Sequence, residues 1–445
     1  MPEINLFEFE KVELKEDSSF FKGLENFLQT IWDKRDKNES HYSNGDNKDS
    51  TEQRIITFLR NDFIKQQNYV GVINFNGETI NFLPKIFNKN DNIEHIHLNI
   101  LWWLSYTNRY KFPKNLTSIS SIKSKNFLEL IIWLFASYTE ETLSKHLHQS
   151  FIEVEEETSY LKGQLVFNDY IKNYISRANW SKFYCRFESF EYDNDLNRII
   201  KYVSILLLNY TKVVETKRAL QNIIFILNEV SDIQATIEDC NKVKLNYFQD
   251  DLRSILDYCK LFLQNSISYN YKNKLELFAF LIPMEKLFEE FIYGFIKKEL
   301  KLDVKAQSSG IFLTEDKSYQ LKPDLIIIFN GKEYIADTKY KIINLDDEKP
   351  VSQSDLYQMV AYAIRHNCEN IILFYPKIEK NENNLNKINI IDEFANQTII
   401  IYPCQLDIKY NNINLKNNNL ENVFKDTRDK LIDQINQLLE VLESK

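Results

Sequence analysis

The segment Leu321–Lys341, LKPDLIIIFNGKEYIADTKYK, contains two largely apolar runs separated by Asn330-Gly331. Asn-Gly between apolar runs is the strongest short-range signal for a β-hairpin, because both residues accept the positive φ angles of a type I′ turn. The segment therefore predicts two antiparallel strands joined by a two-residue turn. Leu325–Phe329 is apolar at every position, which is typical of a strand buried on both faces.

The two-residue turn fixes which residues of the hairpin face each other. If Phe329 pairs with Lys332, then Asp324 lies opposite Asp337, with their Cβ atoms about 5 Å apart on one face. Lys339 follows Asp337 by two positions and shares that face, because side chains alternate along a strand. Two opposed carboxylates repel each other in an apolar hairpin and need a compensating cation. The sequence therefore predicts a site for a hard divalent metal beside a lysine.

Composition limits the class of protein. A chain of 445 residues with 44% hydrophobic residues is long enough for two or three domains. The five cysteines are scattered without a CxxC pair, which suits a reducing cytoplasm and gives no metal framework. The N-terminal residues lack a signal-peptide core, and the apolar stretches are too short to cross a membrane. We expect a cytoplasmic protein with no membrane segment.

Periodicity divides the chain into three regions and predicts an α/β protein, α+β overall. Residues 1–91 are β-rich, with short strands in 1–15, a helix over Phe20–Ile31 and a second hairpin at Asn76-Gly77. Residues 92–273 are mainly helical, with one extended segment at Ile152–Tyr160. Residues 274–445 contain the Asn330-Gly331 hairpin. The other elements predicted there are helices over Glu276–Leu300, Ser352–His366 and Lys425–Lys445, and strands at Asn370–Tyr375 and Thr398–Cys404.

The hairpin carries a recognisable motif. Pro323-Asp324, followed after thirteen residues by Asp337-Thr338-Lys339, resembles the PD-(D/E)xK motif of the restriction-endonuclease-like nucleases. A chance match would produce a surface hairpin with solvated acids, but the apolar run Leu325–Phe329 argues against that alternative. The resemblance implies a restriction-endonuclease-like fold for the C-terminal region.

Four further stretches extend the resemblance to nearly the full length of the chain. They are LPKIF at 83–87, LKGQL at 161–165, DLNRIIK at 195–201 and DTKYK at 337–341. Together they are similar to McrC, the nuclease subunit of McrBC-type modification-dependent restriction systems, and to its counterpart in LlaJI-type enzymes. The resemblance implies a DNA endonuclease subunit for 5-methylcytosine-type restriction in phage defence, with an McrB-like AAA+ GTPase as partner in a hetero-oligomer.

The resemblance also implies roles for individual residues. Asp324, Asp337 and the Thr338 carbonyl would hold Mg²⁺, and Lys339 would orient or help deprotonate the attacking water. On the preceding helix, Glu289 resembles an acid that reaches the metal shell directly or through water, although Glu285 and Glu290 lie on the same helix.

The helix after the hairpin also contributes candidate residues. Gln358 and Tyr362 are four apart and share a helix face. They resemble the QxxxY pair of RecB-like members, where the pair helps to position DNA or the site. Simple packing of Tyr362 is the alternative.

Net charge bears on how such a chain contacts DNA. The formal charge is −9, so DNA binding would rest on local basic groups, for which Lys322, Lys339, Lys341 and Arg365 are candidates. No GxxxxGK[ST] sequence occurs, so the chain carries no P-loop, and NTP hydrolysis would belong to the partner. Two alternatives remain open at this stage: a stand-alone restriction or repair nuclease, and a non-catalytic bridging subunit. We expect residues 1–91 to dock onto the partner.

Overall fold

A computed structural model describes most of the chain. The described residues are 3–13, 18–34, 55–59, 63–75, 78–107, 127–145, 147–246, 249–264, 266–269, 274–306, 310–343, 349–378, 385–392, 397–410 and 423–443. The chain forms two compact units, Met1–Leu130 with Leu277–Lys445, and Ile131–Glu276. Residues 1–91 therefore belong to the same compact unit as the C-terminal region. The functional division into 1–91, 92–273 and 274–445 stays a prediction.

The helices and strands are numbered in chain order. Those that begin in the first unit before residue 131 are β1 (Glu3–Phe7), β2 (Lys11–Glu13), α1 (Ser18–Lys34), β3 (Ile56–Phe58), β4 (Phe63–Gln66), β5 (Tyr69–Phe75), β6 (Glu78–Leu83), α2 (Ile93–Leu104) and α3 (Phe127–Lys145). Those of the second unit are β7 (Ser150–Thr158), β8 (Gln164–Leu165), α4 (Phe167–Asn173), β9 (Phe183–Glu191), α5 (Asp195–Tyr210), α6 (Val214–Ile226), α7 (Ile237–Lys242), α8 (Asp250–Gln264) and β10 (Ser266–Tyr269). The remainder are β11 (Lys274–Pro283), α9 (Met284–Phe295), β12 (Asp303–Ala306), β13 (Ile311–Phe312), β14 (Gln320–Leu321), β15 (Leu325–Phe329), β16 (Lys332–Thr338), α10 (Gln353–His366), β17 (Asn370–Pro376), β18 (Ile388–Asp392), β19 (Gln397–Leu406) and α11 (Lys425–Glu443).

In the first unit, one sheet has the strand order β1-β6-β5-β11. β1 runs parallel to β6, and β5 runs antiparallel to both β6 and β11. The pairing of Phe75 with Glu78 confirms the predicted hairpin, whose turn residues Asn76 and Gly77 lie outside the described residues. Every residue of β5 is buried, so this sheet is part of a core and offers little free surface.

The predicted helix over Glu276–Leu300 is wrong in its first part. Lys274–Pro283 forms β11, and α9 begins only at Met284. Pairing with β5 decides the outcome, because Gly71 lets the two backbones approach closely. Its φ is 139°, and a Cβ there would lie 1.8 Å from the carbonyl oxygen of Phe280. Long-range strand pairing thus overrides the local helical pattern, as β propensity depends strongly on context.

The C-terminal sheet has the strand order β12-β15-β16-β17-β19-β18. β15 and β16 form the antiparallel hairpin, while β17 runs parallel to both β16 and β19. Helix α10 makes the crossover between the parallel strands β16 and β17, which such a connection requires. Met359 of α10 packs in a buried core with Ile335 of β16, Ile371 of β17 and Ile401 of β19. The strand that ends in the DTKYK sequence therefore lies in the middle of the sheet.

The second unit combines helices with a sheet of order β7-β9-β8. Helix α5 begins with the DLNRIIK stretch, with the Asn194 side chain accepting from the Asn197 amide and Asp195 in the first turn. Between β7 and β8, Gly163 has a φ of 67°, and a Cβ there would lie 2.4 Å from the Arg186 carbonyl oxygen. The LKGQL turn therefore requires glycine at this position.

The first residues of the chain also follow the sequence prediction. β1 and β2 are two short strands, and Phe9, which lies between them, has a positive φ of 63°. Helix α1 covers the predicted apolar face over Phe20–Ile31. Among the described helices, none is long and apolar enough to span a membrane.

Candidate active site

The hairpin forms with the predicted register. Phe329 pairs with Lys332 and Leu325 pairs with Ala336, so the next positions outward are Asp324 and Asp337. Asn330 and Gly331 have φ angles of 48° and 79°, as a type I′ turn requires. The local turn chemistry therefore places the two carboxylates opposite each other at the end of the ladder.

Asp337 is a buried carboxylate with an unusual environment. Its side chain is only 1% exposed, and Lys339 Nζ lies 2.5 Å from its Oδ2. Burial and then the neighbouring Asp324 raise the pKa of Asp337 to about 7, although Lys339 opposes the shift. The Lys339 ammonium therefore balances part of the charge of this carboxylate. The same carboxylate is of the type that also binds hard divalent cations.

Asp324 is held in place by Thr338. The backbone amide and the hydroxyl of Thr338 both donate to Asp324 Oδ2, at 2.8 and 2.7 Å. The sequence indicates only the backbone carbonyl of Thr338 as a ligand, and no local pattern indicates this side-chain role. The hydroxyl orients one acid from the strand that carries the other, so the two carboxylates are fixed relative to each other.

The predicted QxxxY pair joins the site through a chain of hydrogen bonds. Lys339 Nζ donates to Gln358 Oε1 at 2.9 Å, and Gln358 Nε2 donates to the Tyr362 hydroxyl at 2.8 Å. The Tyr362 hydroxyl in turn donates to the carbonyl of Lys322 at 3.0 Å. Lys322 precedes Pro323-Asp324. This series of hydrogen bonds therefore links the two sides of the hairpin to each other through α10. Tyr362 therefore packs and also bonds to the site.

A further carboxylate near the site was missed by the sequence analysis. Asp355 of α10 is 4% exposed and accepts from Lys341 Nζ at 2.8 and 2.9 Å. The Tyr375 hydroxyl of β17 donates to the same group at 3.4 Å. The charge of Asp355 adds to the forces that raise the pKa of both Asp337 and Lys339. Its only sequence signal is the Ser352-x-x-Asp355 spacing at a helix start, which indicates capping and not a site.

Glu289 does not share a common metal position with the two aspartates. It pairs with Lys286 at 2.8 Å on the same helix. Among the described residues, no three His, Cys, Asp or Glu side chains converge on a common metal position. The assignment of Glu289 to the metal shell therefore gains no support from the structure and stays a prediction.

Two of the predicted basic groups are engaged within the fold. Lys341 is committed to Asp355, and Arg365 Nε donates to the carbonyl of Phe312 at 2.7 Å. Lys339 is the basic side chain that contacts the acidic pair directly.

The residues present fit a hard divalent cation. Asp324 and Asp337 supply two carboxylates, and Lys339 is the cation beside Asp337. Burial and Asp324 raise the pKa of Asp337 to about 7, whereas the positive charge of Lys339 lowers it, so a bound cation would favour the ionised carboxylate further. Carbonyl and water oxygens complete such sites, and Mg²⁺ typically binds through one or two carboxylates and keeps several waters. The pair is therefore a candidate magnesium site.

A central β-hairpin with facing acids, a lysine two residues on and a glutamine-bearing helix defines the restriction-endonuclease-like class of fold. The family described as McrBC 5-methylcytosine restriction system component matches residues 64–376 of this chain. This chain belongs to that family.

Solved structures support the same fold over a larger part of the chain. A chain in the refined half-complex from the tetradecameric assembly of Thermococcus gammatolerans McrB AAA+ hexamers with bound McrC is 19% identical, with a TM-score of 0.67. The match covers 96% of this chain and 100% of that one. A chain in the cryo-EM structure of the Thermococcus gammatolerans McrBC complex is 21% identical over 67% of this chain and 88% of its own length, with a TM-score of 0.50. No curated protein sequence matches this chain.

Proposed function

We propose that this chain is the DNA-cleaving subunit of a modification-dependent restriction system and hydrolyses phosphodiesters with Mg²⁺. The observation that carries the proposal is the convergence of Asp324, Asp337 and Lys339 on one end of the hairpin, with Gln358 bonded to the lysine. The family match supports the restriction system, and 5-methylcytosine is the modification that the family description names.

The two aspartates would hold the metal, together with the Thr338 carbonyl. When bound, Mg²⁺ would lower the pKa of a coordinated water and neutralise charge on the phosphate. Thr338 keeps Asp324 oriented through two hydrogen bonds, so this carboxylate loses little freedom on binding. Asp337 is buried and partly protonated near neutral pH. Binding of a cation would therefore release its proton.

Lys339 would act as a cation beside the phosphate. Burial lowers the pKa of Lys339, but the negative charges of Asp337 and Asp324 raise it by more than burial lowers it. The pKa of Lys339 therefore lies above its ordinary value. The ammonium therefore stays protonated at neutral pH, which suits stabilisation of the charged transition state better than proton abstraction. Gln358 accepts one of its hydrogens and fixes its direction. Tyr362 in turn holds Gln358, so this pair positions the lysine.

The proposed partner is an AAA+ GTPase. This chain contains no GxxxxGK[ST] sequence, and both solved relatives come from McrBC complexes, one of them with McrB AAA+ hexamers. We infer that this chain likewise works in a hetero-oligomer, where the partner hydrolyses NTP and the chain cuts DNA.

The second unit is a better candidate for the docking surface than residues 1–91. The strands β5 and β6 are buried almost throughout. In the second unit, by contrast, large apolar side chains are exposed in and around the β7–β9 sheet. They are Phe151, Tyr160, Leu161, Phe167, Ile171, Trp180 and Phe190. We call this set the aromatic surface. Large exposed apolar groups on one small sheet and its connections are candidates for an interaction site, and aromatic residues are prominent in interface energetics.

The test is cleavage of methylated and unmethylated plasmid by the purified chain, with and without the product of a neighbouring AAA+ GTPase gene. We expect cutting of methylated plasmid only when the partner, NTP and Mg²⁺ are all present, and no cutting in EDTA. Cleavage by the chain alone without NTP would favour a stand-alone restriction or repair nuclease. An assembled, NTP-hydrolysing complex that never cuts would favour a non-catalytic bridging subunit.

A further inference from the structure

Tyr340 lies between the two lysines of the DTKYK sequence and is fixed from a distant part of the chain. β16 ends at Thr338, after which the Lys339 amide donates to the Phe374 carbonyl at 2.8 Å. The Lys341 amide donates to the Lys339 carbonyl at 2.8 Å, which closes a tight turn around Tyr340. The position of Tyr340 therefore sets the direction in which the chain presents the Lys339 side chain.

Lys85 of the LPKIF sequence holds the main chain of this turn. Its Nζ donates to the Tyr340 carbonyl at 2.9 Å, although 255 residues separate the two. The same ammonium lies 4.5 Å from the centroid of the Tyr340 ring and 5.2 Å from that of Phe9. Both distances are within cation–π range, so Lys85 contacts Tyr340 through its backbone and through its ring.

Glu8 holds the side chain of the same tyrosine. The Tyr340 hydroxyl donates to Glu8 Oε2 at 3.1 Å, and the Lys85 backbone amide donates to the same oxygen at 2.8 Å. Tyr340 is 2% exposed and packs against Phe288 of α9, with ring centroids 5.9 Å apart. Main chain and side chain of Tyr340 are thus both anchored to residues that follow β1 and β6.

The cluster is costly in free energy for a purely structural contact. Glu8 is 5% exposed, and its Oε1 has no hydrogen-bond partner among the described residues. A buried acceptor left unsatisfied is destabilising, and an apolar core of the same shape would avoid that loss. What the polar cluster supplies and an apolar core would not is a fixed orientation of the turn that carries Lys339.

We propose that Lys85 and Glu8 are positioning residues for the nuclease site and act on Lys339 through Tyr340. The proposal deepens the proposed function and rests on it for the role of Lys339. The sheet formed by β1, β6, β5 and β11 would then be part of the nuclease machinery. Deletion of residues 1–90 would remove β5 and Lys85 together, so such a deletion cannot separate docking from cleavage.

The test compares Lys85→Met, Lys85→Arg and Tyr340→Phe with Lys65→Met in the full chain. Lys65 is a matched control because its Nζ also lies over the Phe9 ring, at 5.6 Å, but it has no bond to Tyr340. We expect Lys85→Met to lower single-turnover cleavage about 10- to 100-fold, since small misplacements near reacting groups have effects of this size. DNA affinity and NTP hydrolysis by the complex should not change. Lys85→Arg should recover part of the rate, because its guanidinium can still donate to the Tyr340 carbonyl.

A second measurement, made without metal, DNA or partner, keeps the proposal separate from the proposed function. Hydrogen exchange at the Lys339 and Lys341 amides should be at least about tenfold faster in Lys85→Met than in Lys65→Met, because the turn opens locally. Unchanged exchange, or equal cleavage by the two variants when the wild-type complex cuts, would overturn the positioning role. If the wild-type complex never cuts but exchange still rises, Lys85 anchors the turn as argued and it is the proposed nuclease activity that fails.

Discussion

Gln358 accepts a hydrogen bond from the Lys339 ammonium at 2.9 Å, and its amide nitrogen donates a second hydrogen bond to the Tyr362 hydroxyl at 2.8 Å. One amide therefore restrains the lysine from a helix that packs on the same core as the hairpin. This relationship gives the QxxxY sequence a physical meaning in this chain: Gln358 directs the lysine, and Tyr362 holds Gln358 in place.

We predict that Gln358→Leu lowers cleavage by the assembled complex about 10- to 100-fold. The variant removes the acceptor that directs Lys339, while the Tyr362 hydroxyl keeps its bond to the Lys322 carbonyl. Gln353→Leu is the matched control, because Gln353 lies on the same helix and bonds to Tyr357 on the exposed side. Single-turnover rates of the two variants give the comparison. Equal rates would contradict a positioning role for Gln358.

We predict that Asp337→Ala and Lys339→Ala each abolish cleavage and leave the fold intact. Asp337→Ala should make the metal-free protein no less stable, because it removes a buried carboxylate that repels Asp324. Glu333→Gln, an exposed position on the same strand that pairs with Lys305, should cut normally. Plasmid cleavage and thermal unfolding measure both effects. Full cleavage by either alanine variant in Mg²⁺ would remove these residues from the site.

We predict that Asp337 contributes a loss of stability to the metal-free protein as pH rises from about 4 to about 7. Burial and Asp324 raise the folded pKa of Asp337 to about 7, so in this window the folded state binds more protons than the unfolded state. The slope of unfolding free energy with pH is then negative. Asp337→Asn should remove the contribution of Asp337 to the slope of unfolding free energy against pH. Glu8, with a pKa also raised to about 7 by burial, contributes in the same direction, whereas His97, whose pKa burial lowers to about 4, contributes in the opposite direction. Unfolding in urea across this pH range measures the difference, and an unchanged slope would contradict the assignment.

We predict that Lys341→Met destabilises the protein by about 1–2 kcal/mol. The change leaves the buried Asp355 carboxylate with weaker partners, such as the Tyr375 hydroxyl at 3.4 Å. Because half of the Lys341 side chain is exposed, solvent screens the pair and limits the loss. Lys332→Met, at the exposed position where β16 begins, should be neutral. Midpoints of urea unfolding at neutral pH compare the two, and equal midpoints would show that the pair contributes nothing.

We predict that substitution in the aromatic surface weakens partner binding without unfolding the chain. Trp180 and Phe167 are 65% and 66% exposed, so alanine at both positions should leave the unfolding temperature unchanged. Loss of such aromatic contacts typically costs 2 kcal/mol or more at an interface, roughly a 30-fold loss of affinity or greater. Val214→Ala, equally exposed on α6, is the control. Sedimentation with the AAA+ partner measures association, and unchanged affinity in the double variant would exclude these two residues from the docking surface.

The sequence predicts the hairpin and the facing acids because a two-residue turn is a local device that fixes register without help from the rest of the fold. Helix spacing likewise brings Gln358 and Tyr362 to one face. The donors from Thr338, the Lys341–Asp355 pair and the contacts of Lys85 and Glu8 with Tyr340 are set by tertiary packing, which no local pattern encodes. The first part of the helix predicted over Glu276–Leu300 is wrong for the same reason, because β11 is decided by its distant partner β5.

The bonds from Glu8 and Lys85 to Tyr340 span 332 and 255 residues, which affects the timing of folding during synthesis. Residues 1–90 leave the ribosome long before β11, α9 and the hairpin exist. The first sheet therefore cannot be completed until β11 has been synthesised. Contacts between residues so far apart in the sequence also form slowly. A nascent or truncated chain that lacks either region lacks the contacts that anchor the turn carrying Lys339. The proposed cleavage activity would therefore reach its full rate only after both regions have been synthesised.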